Sequence, residues 1–170
     1  MGMDISGINP TINVSATKFP MIEKWEDVDW GKRSKDPQWK KEQDQYWKED
    51  KEWNEANPGI YFRNNCWWWR PLWDFCAFHC PDIINKETHK SGHYNDGAGL
   101  NDKDAINLGI KLLTLIADGT AGKHEKEITL SNEAAKDKDP KGLSGSYPFS
   151  VENVKEFADF CIQSGGFKIW

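Results

Sequence analysis

YFRNNCWWWRPLWDF, residues 61–75, is the stretch that decides the fold, because it concentrates tryptophans, two arginines and two asparagines in fifteen positions. Three adjacent tryptophans cannot all face one core. On a strand, Trp67 and Trp69 share a face opposite Trp68, and on a helix the three rings fan out by roughly 100° each. One or two of these rings are therefore expected at a surface, a groove or an interface.

Three interpretations of this stretch remain open from the sequence alone. The first is a tryptophan-rich core, since aromatic clusters usually reflect packing. The second is a site for a flat, anionic ligand, because a ring stacked on a base contributes about 1–3 kcal/mol. Guanidinium groups would bind its phosphate or carboxylate, and side-chain amides would read its polar edge. The third is a protein interface. The second interpretation assigns ligand binding to Arg63, Asn64, Asn65, Trp67, Trp69, Arg70 and Trp73.

Two other segments offer polar groups to the same site. Asp4 is the acid of the amino-terminal segment, and it is either a solvated strand end or a group brought beside the arginines. The run HYNDGAGL, residues 93–100, has turn chemistry in which glycine lets backbone approach a ligand. No Lys-Ser/Thr pair follows, so it is not a phosphate loop. His93, Asn95 and Asp96 are its candidate site residues, and a plain loop leading into a helix is the alternative.

Length and charge limit the classes of protein and of partner. We expect residues 1–170 to form a single domain. The net charge of −5 and the lack of a basic run argue against long nucleic acid as a partner. No apolar run approaches the length of a membrane span, which predicts a cytoplasmic protein with no membrane partner. The oligomeric state, a homo-oligomer included, stays open.

Four cysteines in a chain of this size predict free thiols rather than a disulfide framework. Cys76, His79 and Cys80 have helical spacing, with Cys66 upstream, so a zinc cluster has to be weighed. Their pattern lacks knuckle-like pairs, and core packing is favoured. We therefore predict no bound metal and no cofactor.

Capping residues and periodicity predict a mainly helical α+β domain. Asp36-Pro37 begins an amphipathic, highly charged helix over 38–56, which looks like an insertion. Pro71 is expected to open the next helix. Further helices are expected after the caps Asn101 and Ser150. The polar stretch 120–147 is expected to be a mobile excursion. The two terminal segments are expected to form a small sheet around a tryptophan-rich core.

Several motifs together resemble a family of small proteins of bacteriophages and prophages. They are Met1-Gly-Met-Asp4 with Gly7 and Asn9-Pro10, the string from Asn57 to Trp73, Asn95-Asp-Gly-Ala-Gly-Leu100, and Ser164-Gly-Gly-Phe167. The resemblance implies a phage context and no particular activity. Small phage proteins without a catalytic signature often counter host defence.

In that context, stacking tryptophans, arginines and amides fit a protein that sequesters a nucleotide signal of host immunity, such as a cyclic oligonucleotide or an ADP-ribose derivative. This anti-defence sponge is the leading functional hypothesis, and it is not an enzyme. One alternative is a protein-binding inhibitor of a host defence protein, with exposed aromatics as hot spots. The other is a nucleotide-cleaving enzyme that uses Asp4, His93 or Asp96 as acid or base, although no nucleophile–base pair is evident.

Overall fold

The computed structural model of this protein describes residues 2–138 and 147–170. Helices surround a small antiparallel sheet, which confirms the predicted mainly helical α+β class. The strands are β1 (Gly2–Gly7), β2 (Tyr61–Asn65), β3 (Gly99–Leu100) and β4 (Phe167–Ile169). The helices are α1 (Pro20–Trp25), α2 (Trp30–Arg33), α3 (Pro37–Ala56), α4 (Cys66–His79), α5 (Lys86–Ser91), α6 (Asp102–Ala117), α7 (Thr120–Lys138) and α8 (Val151–Gln163).

The two terminal segments form the centre of the sheet, as predicted. The strand order is β2-β1-β4-β3, and each neighbouring pair is antiparallel. Alternation sets the faces, so Met3 and Ile5 of β1 point into the core together with Phe167 and Ile169 of β4. The two terminal segments of the described chain are therefore joined to each other by backbone hydrogen bonds.

The main core lies between this sheet and helices α4, α6 and α8. Its largest fully buried side chains include Trp69, Trp73, Phe157 and Phe160, which confirms the predicted tryptophan-rich core. Helices α6 and α8 approach closely at Gly109, where an added Cβ would lie 2.7 Å from the carbonyl oxygen of Ala158. Cys76, Cys80 and Cys161 are buried here and Cys66 is half-buried, all four as free thiols.

A second, smaller core lies in the segment between β1 and β2. Ile22, Trp25, Trp39 and Tyr46 form it where α1 packs on α3. The guanidinium of Arg33 lies over the rings of Trp39 and Tyr46, 4.9 and 5.0 Å from their centroids. Cation–π contact and hydrogen bonds to carbonyls compensate the burial of this charge.

Asn57 fastens the two ends of this segment to each other. Its side-chain oxygen accepts hydrogen bonds from the backbone N–H groups of Asn13 and Val14, at 2.7 and 2.9 Å. Its amide donates to the carbonyl oxygens of Val14 and Trp53. The Asn57 side chain is fully buried, and its oxygen and its amide N–H groups all have hydrogen-bond partners. We call this set of hydrogen bonds the Asn57 clasp.

Two predicted element boundaries are wrong. Helix α4 begins at Cys66 rather than at Pro71, which lies inside the helix. Residues 120–138 form α7 instead of the expected excursion, while 139–146 lie outside the described residues. The described helices include none with both the length and the apolar character needed to cross a membrane.

Candidate functional site

Asn65 determines where helix α4 begins, and therefore which tryptophans face the core. Its side-chain oxygen accepts hydrogen bonds from the backbone N–H groups of Trp67 and Trp68, at 3.0 and 3.2 Å, and so caps α4. With the helix beginning there, Trp69 and Trp73 are one turn apart on its inner face. Their rings stack with centroids 5.3 Å apart and planes 15° apart.

The stacked pair is not available to a ligand, which corrects the predicted stacking role of Trp69 and Trp73. Both side chains are fully buried. The indole N–H of Trp69 donates to the carbonyl of Gly92 at 2.7 Å, and that of Trp73 donates to the carbonyl of His89 at 3.0 Å. The pair therefore packs the core and fastens the end of α5 to α4.

Asp4 and Arg63 meet on adjacent strands of the sheet. The guanidinium Nε lies 3.4 Å from the Asp4 carboxylate, in an exposed ion pair. The hydroxyl of Tyr61 donates to the same carboxylate. Burial, followed by the hydrogen bond to Asp4, raises the pKa of Tyr61 to about 12. Asp4 therefore does lie beside an arginine.

The predicted amides serve structural roles. The side-chain N–H of Asn64 donates to the side-chain oxygen of Asn153 at 3.0 Å. The side-chain N–H of Asn95 donates to the carbonyl of Gly2 at 3.0 Å, which ties the 93–100 loop to β1. The carboxylate of Asp96 accepts a hydrogen bond from a backbone N–H two residues on. These contacts fit the plain-loop alternative for Asn95 and Asp96.

A groove with a volume of about 920 Å³ lies between α4 and α7. We call it the α4–α7 groove. Its size falls within the range of small-molecule sites, roughly 300–1,000 Å³. Of the residues predicted from sequence to bind a ligand, only Arg70 lines it. Its lining residues are Arg70, Pro71, Asp74, Phe75, Phe78, His79, Thr120, Lys123, His124, Glu127, Ile128 and Tyr147.

Aromatic rings form much of the groove wall. Phe75 is buried, and the rings of His79 and His124 lie 4.5 and 5.1 Å from it. Burial lowers the pKa of both histidines, so their neutral, ring-stacking form is favoured at neutral pH. Phe78 is 79% exposed, so its ring is accessible on the groove wall.

Charged and hydroxyl groups lie along the edge of the groove. Arg70 donates a hydrogen bond to the hydroxyl of Tyr147 at 3.1 Å, and the Tyr147 ring packs 4.9 Å from Trp67. Trp67 thus adjoins the groove without lining it. Lys123 adds a second cation and Glu127 a carboxylate. Hydrogen-bonding groups of both signs therefore border an aromatic surface.

A cluster of Asp74, His89 and His93 lies beside the groove. The carboxylate oxygen of Asp74 is 2.6 Å from Nε2 of His89 and 3.1 Å from Nε2 of His93. The two Nε2 atoms are 3.3 Å apart. The hydrogen bond from His93 is the main cause that lowers the pKa of Asp74. His93 is thus the one residue of the 93–100 run with potentially reactive neighbours.

Sequence reasoning missed most residues of the groove and two of the cluster. His89 and His93 are four residues apart, a spacing that places two imidazoles on one side of a helical turn, and this signal was present. Asp74 comes from a different helix, so no local pattern connects it to them. The groove residues that α7 contributes could not be identified, because 120–138 was not predicted to be helical.

No protein-family model, curated protein or solved structure matches this chain. The chemistry of the α4–α7 groove is consequently the basis for assigning a function.

Proposed function

We propose that this protein binds a small nucleotide-derived ligand in the α4–α7 groove and withholds it from solution. The observation that carries the proposal is an aromatic wall bordered by Arg70 and Lys123 in a cavity of about 920 Å³. In the phage context implied by the sequence resemblance, the ligand would be a signalling nucleotide of host immunity. The protein would then act as an anti-defence sponge.

The aromatic wall supports a planar ligand. Phe78 is exposed on α4, and the tilted rings of His79 and His124 lie next to Phe75. A base stacked on such rings gains about 1–3 kcal/mol by comparison with alanine substitutions in other proteins. Neutral imidazoles favour this contact because no charge has to be desolvated when the base covers them.

The edge of the groove supports a ligand that is both anionic and rich in hydroxyl groups. Arg70 presents a planar guanidinium, which suits two phosphate oxygens, and Lys123 presents a point charge. The carboxylate of Glu127 would accept hydrogen bonds from ribose hydroxyls. The hydroxyl of Tyr147, already bonded to Arg70, would keep the guanidinium oriented.

A depletion-and-release experiment tests the proposal. Protein is incubated with a panel of cyclic oligonucleotides and ADP-ribose derivatives, and the free pool is measured by mass spectrometry before and after heat denaturation. We expect one class of nucleotide to disappear and to return unchanged. A ligand that returns altered would establish the nucleotide-cleaving alternative, and a panel with no depletion would refute nucleotide binding.

Two arginine variants give a matched comparison. Arg70→Ala removes a charge from the groove and should weaken binding by about tenfold or more, since a hydrogen bond to a charged group contributes about 1.5–3 kcal/mol. Arg63→Ala removes the same charge from the sheet surface, where Arg63 pairs with Asp4 and does not line the groove. Its affinity should stay within about twofold, because a distant exposed charge is screened. Equal losses in both variants would place the ligand outside the groove.

The protein-binding alternative has a structural basis of its own in the second core. Trp30 and Trp47 are 59% and 49% exposed, and both pack edge-on against Trp39. Large exposed aromatics of this kind are typical hot spots of protein interfaces. If no nucleotide is depleted, the variant Trp30→Ala/Trp47→Ala becomes the matched control in a pull-down of host defence proteins.

A further inference from the structure

Three metal-ligating side chains from two helical segments converge beside the α4–α7 groove. Asp74 belongs to α4, His89 to α5, and His93 to the turn that follows α5. Each offers one atom, and these atoms all lie within 4.8 Å of one another. We propose that Asp74, His89 and His93 form a mononuclear Zn²⁺ site with an open fourth coordination position.

The distances come close to those of a zinc site, and the 2.6 Å between the Asp74 carboxylate and Nε2 of His89 would widen by about 0.7 Å to reach the edge of a regular tetrahedron. The atoms form a triangle with sides of 2.6, 3.1 and 3.3 Å. The circle through them has a radius of about 1.75 Å, so a point about 1 Å out of their plane lies about 2.05 Å from each, which matches zinc–ligand distances in proteins. The 3.3 Å between the two nitrogens is also close to the edge of a tetrahedron with bonds of that length.

The donor set selects the metal. Two imidazoles with one carboxylate suit a borderline transition-metal ion, whereas Mg²⁺ and Ca²⁺ favour all-oxygen sites. Three protein ligands plus one solvent position are the arrangement of reactive zinc sites rather than of closed structural ones. The side chains of Asp74 and His89 are 57% and 37% exposed, so solvent or a ligand can reach the fourth position.

The surrounding structure holds the ligands in place. Trp73 donates its indole N–H to the carbonyl of His89, and Trp69 donates to the carbonyl of Gly92. Both rings are fully buried in the main core, so they fix the backbone that carries the two histidines relative to α4. The Nδ1 atom of His93 is buried, which leaves Nε2 as its accessible nitrogen. Such preorganisation reduces the cost of assembling a metal site.

The position of Asp74 connects this site to the groove, since its side chain also lines the cavity. If the proposed function holds, the zinc ion would lie at the groove edge and take a phosphate oxygen of the ligand in its open position. This extension rests on the proposed function. The metal site itself does not, and it is testable in ligand-free protein.

The test is metal binding by the full chain after chelator treatment and dialysis. Titration with Zn²⁺ is followed by calorimetry, and Co²⁺ serves as a spectroscopic probe of the ligand set. We expect one equivalent of Zn²⁺ per chain and a Co²⁺ absorption spectrum typical of nitrogen and oxygen ligands. The absence of one-to-one binding would overturn the proposal, and so would a thiolate-to-cobalt charge-transfer band, which would place the metal on the cysteines.

Three single variants locate the metal. His89→Gln and Asp74→Ala alter exposed side chains and should each lower zinc affinity by more than about tenfold, since even second-shell changes in zinc sites cost 10–100-fold. His79→Ala is the matched control, because His79 lines the groove but is not part of the cluster, and it should bind zinc like the parent. Far-UV circular dichroism of each variant separates loss of the site from loss of fold. Unchanged affinity in His89→Gln, with the fold intact, would refute the assignment.

Discussion

Gly92→Ala should destabilise the protein because the indole ring of Trp73 occupies the space that a Cβ would need. A Cβ built on Gly92 lies 2.3 Å from Nε1 and 2.4 Å from Cε2 of Trp73. Contacts this short require movement, and Trp73 cannot provide it, because its ring is fully buried and stacked on Trp69. The backbone at Gly92 has to shift instead, which displaces the end of α5.

The magnitude follows from three contributions. Overpacking of a rigid site costs about 1–3 kcal/mol. Weakening the hydrogen bond from Trp69 to the Gly92 carbonyl removes about 0.5–1.5 kcal/mol. Gly92 has an ordinary helical φ of −64°, so the lower entropy of alanine in the unfolded chain offsets about 0.4–1 kcal/mol. We expect a net loss of about 0.5–4 kcal/mol in the free energy of unfolding.

Urea unfolding monitored by far-UV circular dichroism measures this loss as a lower midpoint with an unchanged slope. Gly122→Ala is the matched control. It lies in the first turn of α7, and nothing is within 4 Å of a Cβ built there. Alanine should be neutral or stabilise this helix by up to about 1 kcal/mol. Equal stability of the two variants would show that the Trp73 contact does not constrain Gly92.

Two further predictions concern the clasp and the sheet surface. Asn57→Ala should lower the free energy of unfolding by about 2 kcal/mol, because partly buried backbone groups of Asn13 and Val14 lose their hydrogen-bond partners. A loss below about 1 kcal/mol in urea unfolding would mean that water replaces the clasp. In an alkaline absorbance titration, Tyr61 should ionise near pH 12, because burial and the hydrogen bond to Asp4 raise its pKa above the usual 10. Its folded pKa exceeds its unfolded pKa, so its contribution to stability is complete below about pH 10 and is lost as the pH rises toward 12. Tyr61→Phe should remove this late step from the titration, and a titration that keeps it would assign the high pKa to another tyrosine.

Local signals were sufficient to predict much of the fold. Asp36, Asn101 and Ser150 were each identified as a helix cap, and each side chain accepts a hydrogen bond from a backbone N–H in the first turn of its helix. The alternating pattern at the carboxyl end likewise predicted β4. These features could be predicted because a cap or an alternation involves only residues a few positions apart.

The start of α4 and the whole of α7 could not be predicted from local sequence patterns. Pro71 is a good first-turn residue, which favoured a start there, but the cap at Asn65 begins the helix earlier, and the helix accepts a proline in its second turn. Helix α7 is mostly polar, and it is stabilised where Ala121 and Ile128 pack on the main core. The helix-breaking residues that suggested an excursion lie in 139–146, beyond the described end of α7.

The candidate site was harder to predict than the fold. The residue at which α4 begins decides which tryptophans face the core. Because the helix was predicted to begin at Pro71 and not at Cys66, the buried Trp69 and Trp73 were wrongly assigned to ligand binding. Arg70, one of the predicted site residues, does line the α4–α7 groove. The partners that make this surface a groove come from α7, and residues distant in sequence meet only through tertiary packing.

The Asn57 clasp has a consequence for how this chain can change over evolution. The segment 15–56 leaves and rejoins the main fold at neighbouring positions, because Val14 and Asn57 are joined by hydrogen bonds. A segment with adjoining ends can be lengthened, shortened or exchanged at little entropic cost, and the pairing of β1 with β2 keeps its register. Changes of length or sequence within 15–56 should therefore leave the main core and the α4–α7 groove in place.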